Sequence, residues 1–231
     1  MSPTMRSRAR IEPVVNGLDF PTSLAFDARG TPYIALSGLP FGSASPGGRV
    51  TRAGPGGRAE TLLGDLRPPV TGLTFYDGTF LVAEGGNPGR LSRWAPGGRL
   101  ETILDNLPGA GNYHTNMAVA GPEGWLYFSQ GALTNSGVVG LDALDLGWLR
   151  RLPHNHDLPG RDVVLAGVNV ETADPILGNG HRAMTGAFSP FGVPTPLGLR
   201  IAARVPATAS VMRCRPDGSD LSVVAWGLRN A

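Results

Sequence analysis

Three polar residues at the ends of two apolar segments have side chains that could do proton and charge chemistry. His114 directly precedes one short apolar segment, and Arg229 and Asn230 directly follow another. A histidine near its ordinary pKa is neutral at pH 7 and can accept a proton, whereas arginine is a permanent cation with several hydrogen-bond donors. These residue types suit a site that removes a proton from a substrate and holds an anionic group.

A sequence repeat indicates which elements position these residues. The segment Pro55-Gly-Gly-Arg-Ala-Glu-Thr-Leu-Leu returns as Pro96-Gly-Gly-Arg-Leu-Glu-Thr-Ile-Leu, and another pair of short alternating segments precedes each copy. Gly-Gly between two strands is a hairpin signal. Four strands per unit, repeated about every 40 to 50 residues, are typical of β-propeller blades. We therefore predict an all-β fold built from four-stranded propeller blades.

The repeat predicts three blades within one domain that spans residues 1–231. The first blade covers about 15–66, the second about 67–107 and the third about 108–228, with an insertion at about 138–209. An irregular connection of that length is usually either functional or peripheral. The insertion is accordingly either a segment that covers a substrate or cofactor, or a decoration of the third blade.

The blade order predicts where the chemistry lies. In a propeller, the first strand of each blade lines the central channel, so the connection from the preceding blade ends at the channel mouth. Residues 108–115 bring His114 to this mouth, and residues 229–231 bring Arg229-Asn230 to the equivalent place before a fourth inner strand. Because three blades do not close a ring, we interpret the chain as an incomplete propeller, about three blades of a larger one.

The same residues carry a family resemblance. The segment His114-Thr-Asn-Met-Ala-Val-Ala-Gly-Pro-Glu-Gly-Trp-Leu-Tyr-Phe-Ser-Gln-Gly131 resembles the stretch around the catalytic histidine of quinoprotein glucose/sorbosone dehydrogenases. Ala225-Trp-Gly-Leu-Arg-Asn230 is similar to the Gly-x-Arg-Asn signature of that family. The resemblance spans essentially the whole chain and implies the N-terminal half of a six-bladed, pyrroloquinoline-quinone-dependent sugar dehydrogenase.

The resemblance also implies roles for these residues. His114 would be the catalytic base, Arg229 and Asn230 would bind pyrroloquinoline quinone (PQQ), and an aldose or sorbosone would be oxidised by hydride transfer, with an external electron acceptor. Calcium is a second implied cofactor. Its ligands and the remaining quinone contacts would lie in other blades, so no metal ligand is assigned here and the chain alone is expected to be inactive. Glucose-oxidising members carry an acidic residue at the position of Ala132, so the sequence predicts no carboxylate partner for His114.

Two other functions remain open. Glu84, at the end of a predicted strand, is the carboxylate nearest the channel, and a ring of such groups would suit a calcium-dependent lactonase-type propeller. The equivalent residues of the other units are Leu36 and Gln130, which disfavours such a ring. The motif His154-x-His156-Asp157 could contribute to a metal site only with a further ligand. A non-catalytic propeller that binds a partner is the remaining alternative.

Composition excludes several classes of protein. The formal net charge is only +2 and no basic block with interleaved aromatics is present, so a nucleic-acid partner is not expected. The single cysteine, Cys214, cannot form an internal disulfide. No apolar stretch is long enough for a membrane span or a signal peptide after the basic residues 1–10. Read literally the protein is cytoplasmic, and it is periplasmic or secreted if an upstream signal exists.

Overall fold

The computed structural model describes residues 11–38, 47–109 and 111–230. Within these ranges the chain forms antiparallel β-sheets and almost no helix, which confirms the predicted all-β class. The basic residues 1–10 and the last residue of the predicted connection 229–231 lie outside the described residues. No helix in the described ranges is long and apolar enough to span a membrane.

Two successive four-stranded sheets contain the sequence repeat. The first sheet has the order β1 (Pro21–Phe26), β2 (Pro32–Leu36), β3 (Gly48–Ala53), β4 (Ala59–Leu66). The second sheet has the order β5 (Val70–Tyr76), β6 (Thr79–Glu84), β7 (Gly89–Trp94), β8 (Leu100–Leu107). The repeated Pro-Gly-Gly motif forms the turn before the last strand of each sheet, where Gly57 and Gly97 have φ of 74° and 83°. Glycine is suited to these turns because it reaches positive φ without steric cost.

The third sheet is interrupted by the insertion. It consists of β9 (Thr115–Ala120), β10 (Leu126–Gln130), β15 (Ser210–Cys214) and β16 (Ser222–Trp226). Residues 131–209 form the insertion, with the short helix α1 (Asp142–Asp145), the ribbon β11 (Val163–Ala166) with β14 (Leu197–Ile201), and the ribbon β12 (Asn169–Ala173) with β13 (Arg182–Gly186). The insertion thus has secondary structure and its own buried cluster, which includes Trp148 and Leu149.

Apolar side chains at repeated positions pack the sheets against one another. Between the first and second sheets the buried residues include Tyr33, Ala35, Val50, Leu73, Phe80 and Val82. Between the second and third sheets they include Leu81, Ala83, Leu91, Ala118, Leu126 and Phe128. One face of each sheet therefore packs on the opposite face of the next, as in successive blades of a β-propeller.

The first strands of the three sheets lie side by side at the inner edge. The Thr22 hydroxyl donates to the Val70 carbonyl at 2.6 Å, and Thr71, its repeat equivalent, donates to the Thr115 carbonyl. At Gly72 an added Cβ would overlap the backbone of Met117 on β9, so a residue without a side chain allows this close approach. The connections that precede β5 and β9 are consequently placed in equivalent positions.

Candidate functional site

His114 occupies a repeated backbone position at the inner end of the third sheet. In each sheet, the residue after the second strand donates its N–H to the carbonyl of the residue near the start of the first strand. The three pairs are Ser37 with Phe20 at 2.9 Å, Gly85 with Pro69 at 2.7 Å, and Gly131 with His114 at 2.9 Å. The third sheet is therefore the one in which this repeated position carries an imidazole.

The imidazole of His114 is oriented by backbone carbonyls. Its Nδ1 lies 2.6 Å from the carbonyl oxygen of Gly109. Because a carbonyl only accepts, Nδ1 carries the proton in this hydrogen bond. Burial lowers the pKa of His114 below its ordinary value, and hydrogen bonds to the carbonyls of Gly109 and Gly85 offset part of that effect. The ring is thus neutral at pH 7, as a general base requires.

The group that orients the His114 ring is the Gly109 carbonyl. Ala132 carries no acid, as the sequence indicated, but the connection before β9 turns back so that Gly109 faces the ring. A Cβ at residue 109 would overlap the carbonyls of Gly85 and Gly86, so this turn requires glycine. The sequence signal for this contact was the Pro108-Gly109 pair, whose significance sequence reasoning missed.

Arg229 is brought to the same end of the sheet. The segment after β16 crosses the end of β15, and the Arg229 carbonyl accepts the Ala132 N–H at 2.9 Å. The exposed guanidinium lies over the Tyr113 ring, with Cζ 5.5 Å from the ring centroid. Tyr113 directly precedes His114, and its own N–H donates to the Ala132 carbonyl at 3.1 Å. His114 and Arg229 are thus attached to the adjacent residues Gly131 and Ala132, while Asn230 is exposed next to Arg229.

A cavity of about 250 Å³ adjoins Arg229 between the third sheet and the insertion. The rings of Phe188 and Trp226 form an apolar wall, with centroids 6.2 Å apart. Asn135 and Ser136 add polar groups to the lining. The candidate site therefore combines a cation, an aromatic surface and a concave space next to the segment that carries His114.

Glu84 has a structural role in the second sheet. Its side chain is fully buried and forms two hydrogen bonds with the Arg90 guanidinium, Nε to Oε2 and Nη2 to Oε1 at 2.8 Å. Oε1 also accepts the Arg67 N–H at 2.7 Å. In the third sheet the equivalent Gln130 instead donates to the Pro108 carbonyl at 2.9 Å. Proline at 108 has no N–H to donate. The side chain that contacts this position therefore changes from the acceptor Glu84 in the second sheet to the donor Gln130 in the third.

The motif that contains His154 and His156 does not form a metal site. The buried Asp157 carboxylate accepts the N–H groups of Leu133 at 2.7 Å and Thr134 at 3.0 Å, together with the Thr134 hydroxyl. Among the described residues, no three His, Cys, Asp or Glu side chains are grouped to hold a metal ion. Asp157 instead fixes the segment that follows Gly131 and Ala132, a role that sequence reasoning missed.

Comparisons with known proteins give only structural likenesses. No protein-family model matches the chain, and no curated protein matches it. The chain is similar to a solved structure of an oxidoreductase (glucose dehydrogenase) from Thermus thermophilus, at 16% identity over 94% of this chain and 85% of that one, with a TM-score of 0.43. It is also similar to the PQQ-bound aldose sugar dehydrogenase of Streptomyces coelicolor, at 14% identity over 94% of this chain and 84% of that one, with a TM-score of 0.44.

Proposed function

We propose that the chain carries part of the site of a PQQ-dependent sugar dehydrogenase, with His114 as general base and Arg229 and Asn230 as cofactor-binding residues. The observation that carries the proposal is the attachment of His114 and Arg229 to the adjacent residues Gly131 and Ala132. The two sequence motifs that resemble the quinoprotein family therefore belong to one local structure, although His114 and Arg229 are 115 positions apart in the sequence.

The residues of this end of the sheet fit a flat, anionic quinone. The exposed Arg229 guanidinium can form charge-assisted hydrogen bonds to a carboxylate. Tyr113 beneath it and Trp226 in the neighbouring cavity wall offer aromatic surface to a planar ring. When bound, the quinone supplies the two-electron acceptor chemistry. A tricarboxylic cofactor calls for more than one cation, so we assign these residues only part of its binding.

His114 would handle the substrate proton. Nε2 would accept the proton of the sugar hydroxyl, and the quinone, when bound, would supply the acceptor for the hydride of the carbon that bears this hydroxyl. The substrate would thereby lose two electrons and two hydrogens and become a carbonyl compound. Nδ1 keeps its bond to Gly109, which fixes the ring plane. The carbonyls of Gly109 and Gly85 then stabilise the imidazolium that forms, because both act as acceptors for it.

We assign calcium no ligand among the described residues. Among residues 11–38, 47–109 and 111–230, acidic and histidine side chains do not group around a common point. The lactonase alternative is less well supported for the same reason. In addition, its candidate ligand Glu84 is fully buried against Arg90. A binding module without catalysis would not require an imidazole oriented by two backbone carbonyls.

Catalysis separates these functions. A longer polypeptide, in which further blades complete the propeller around the three sheets, is expected to reduce a redox dye when PQQ, calcium and an aldose or sorbosone are added. Hydrolysis of a sugar lactone with calcium, in the absence of quinone-dependent dye reduction, would establish the lactonase alternative instead. If this polypeptide shows neither activity and binds no quinone, a non-catalytic binding module is favoured.

Replacing Arg229 by methionine is expected to weaken PQQ binding by about 10- to 100-fold, because a hydrogen bond to a charged group contributes about 1.5 to 3 kcal/mol. Equilibrium titration followed by quinone absorbance measures the change. Arg67→Met is the matched control, because Arg67 has the equivalent repeat position and pairs with Asp105 at 2.9 Å. An equal loss in both variants would show that only nonspecific attraction to positive charge is involved.

A further inference from the structure

A chain of side-chain hydrogen bonds joins the insertion to the candidate site. Asp142, in α1, accepts hydrogen bonds on Oδ2 from the Asn112 amide at 2.7 Å and the Asn135 amide at 2.8 Å. Asn112 lies two residues before His114. The Asn135 side-chain oxygen accepts the Tyr113 hydroxyl at 3.2 Å. Oδ2 of Asp142 therefore binds two side-chain amides. Asn112 belongs to the segment that carries His114, and Asn135 is bound to that segment through Tyr113.

The other end of the Asn112 amide is bound to the core of the insertion. The Trp148 indole N–H donates to the Asn112 side-chain oxygen at 2.8 Å. Trp148 is fully buried in a cluster with Val139, Ala143 and Leu149. Packing fixes the indole, and the indole and Asp142 together fix both ends of the Asn112 amide. The orientation of Asn112 is therefore determined by the insertion rather than by the third sheet.

The backbone transmits this orientation to His114. Residues 112–114 pair with residues 131–133 through three bonds, Asn112 N–H to Leu133 at 2.9 Å, Tyr113 N–H to Ala132 at 3.1 Å, and Gly131 N–H to His114 at 2.9 Å. At Gly111 an added Cβ would overlap Leu133, so the two segments are in close contact just before this pairing. Loss of the hydrogen bonds that fix the Asn112 side chain is consequently expected to alter the position of Tyr113 and His114.

We propose that Asp142 is a positioning residue of the candidate site, and that the insertion holds the segment 112–114 in place in addition to lining the neighbouring cavity. Asp142 acts through Asn112 and Asn135 and does not itself contact a substrate. The effect of this positioning on catalysis and on quinone binding rests on the proposed function. The positioning is a property of the chain that can be measured without a cofactor.

The test is an NMR titration of the histidine rings in Asp142→Ala. The chain has four histidines, so a His114→Gln variant assigns the His114 signal. Without the carboxylate, segment 112–114 loosens and water reaches the imidazole. The His114 pKa should therefore rise toward its ordinary value. The affinity for added PQQ should fall by about 10-fold, because Tyr113, which lies under the Arg229 guanidinium, loses its fixed position.

Asp145→Ala is the matched control, because Asp145 is an exposed carboxylate of the same helix, and it should leave the His114 pKa unchanged. If Asp142→Ala does not fold, Asp142→Asn keeps an acceptor oxygen and should shift the pKa in the same direction by less. An unchanged His114 pKa in a folded Asp142 variant overturns the positioning role. A shifted pKa in a protein that binds no PQQ supports the positioning role and contradicts only the proposed function.

Discussion

Replacing Arg90 by methionine is expected to lower the free energy of unfolding by about 3 kcal/mol, with complete loss of folding at 37 °C if the wild type is only marginally stable. Glu84 is fully buried, and Arg90 supplies two of its hydrogen bonds. Removal of the cation leaves a carboxylate without a charged partner inside the second sheet. The value lies at the lower end for a broken buried pair, because the Arg67 N–H still donates to Glu84. Urea denaturation measures it.

Two variants establish the cause of the Arg90 effect. Arg52→Met breaks an exposed pair with Glu60 and should leave the free energy of unfolding nearly unchanged, because solvent screens such pairs. The double variant Glu84→Gln with Arg90→Met should recover part of the loss, because a neutral amide oxygen can still accept the Arg67 N–H. The third sheet already has glutamine, Gln130, at the equivalent position. A loss for Arg90→Met no larger than that for Arg52→Met would contradict this explanation.

Replacing His114 by glutamine is expected to lower kcat for aldose oxidation by about 10²- to 10⁴-fold, the usual contribution of a general base. Glutamine can still donate to the Gly109 carbonyl but has no nitrogen that accepts a proton at neutral pH. The measurement is PQQ- and calcium-dependent dye reduction by the longer polypeptide, in which further blades complete the propeller. His154→Gln, at an exposed position in the insertion, is the control and should retain activity.

The pH dependence distinguishes loss of a base from loss of structure. Burial lowers the pKa of His114, so the neutral, active form persists below the pH at which an ordinary histidine becomes protonated. In the wild type, the decrease of kcat/KM at acid pH should have its midpoint below about 6.5, the ordinary pKa of histidine. His114→Gln should lose this acidic limb. An activity that falls with a pKa above about 6.5, or a glutamine variant with the wild-type profile, would contradict the assignment.

The repeat made much of the fold predictable. The Pro-Gly-Gly hairpins and the alternating strands indicate four-stranded sheets, because local turn chemistry and a period of two are written into neighbouring residues. The equivalence of residues 114, 69 and 20 follows from the same repeat. In the structure, each of these three residues accepts the same backbone hydrogen bond just before the first strand of its sheet.

The rest of the candidate site depends on contacts between distant residues. Arg229 and Tyr113 stack although 116 positions separate them, and the sequence has no local signal for that pairing. In the sequence, only spacing groups Asp157 with the neighbouring histidines. Its hydrogen bonds to Leu133 and Thr134 depend on how the insertion folds back. The insertion lies outside the repeat, so the repeat could not predict its contacts.

The insertion takes on a more specific role than the alternatives of cover or decoration. Its buried cluster around Trp148 is connected to Asn112, and its Asp157 holds the residues that follow Gly131 and Ala132. These contacts lie on both sides of the segment that carries His114. The interruption of the third sheet therefore supports the sheet end where both sequence motifs meet.

The most direct test of the central claim, that His114 and Arg229 form one quinone-binding site, is an NMR titration of the wild-type chain with PQQ. The account predicts saturable shifts of the His114 ring and the Arg229 side chain that give the same Kd, with little change at His154, His156 and His181. Those three histidines serve as controls within the same sample. Equal shifts at all four histidines, or shifts at Arg229 without His114, would contradict a shared site.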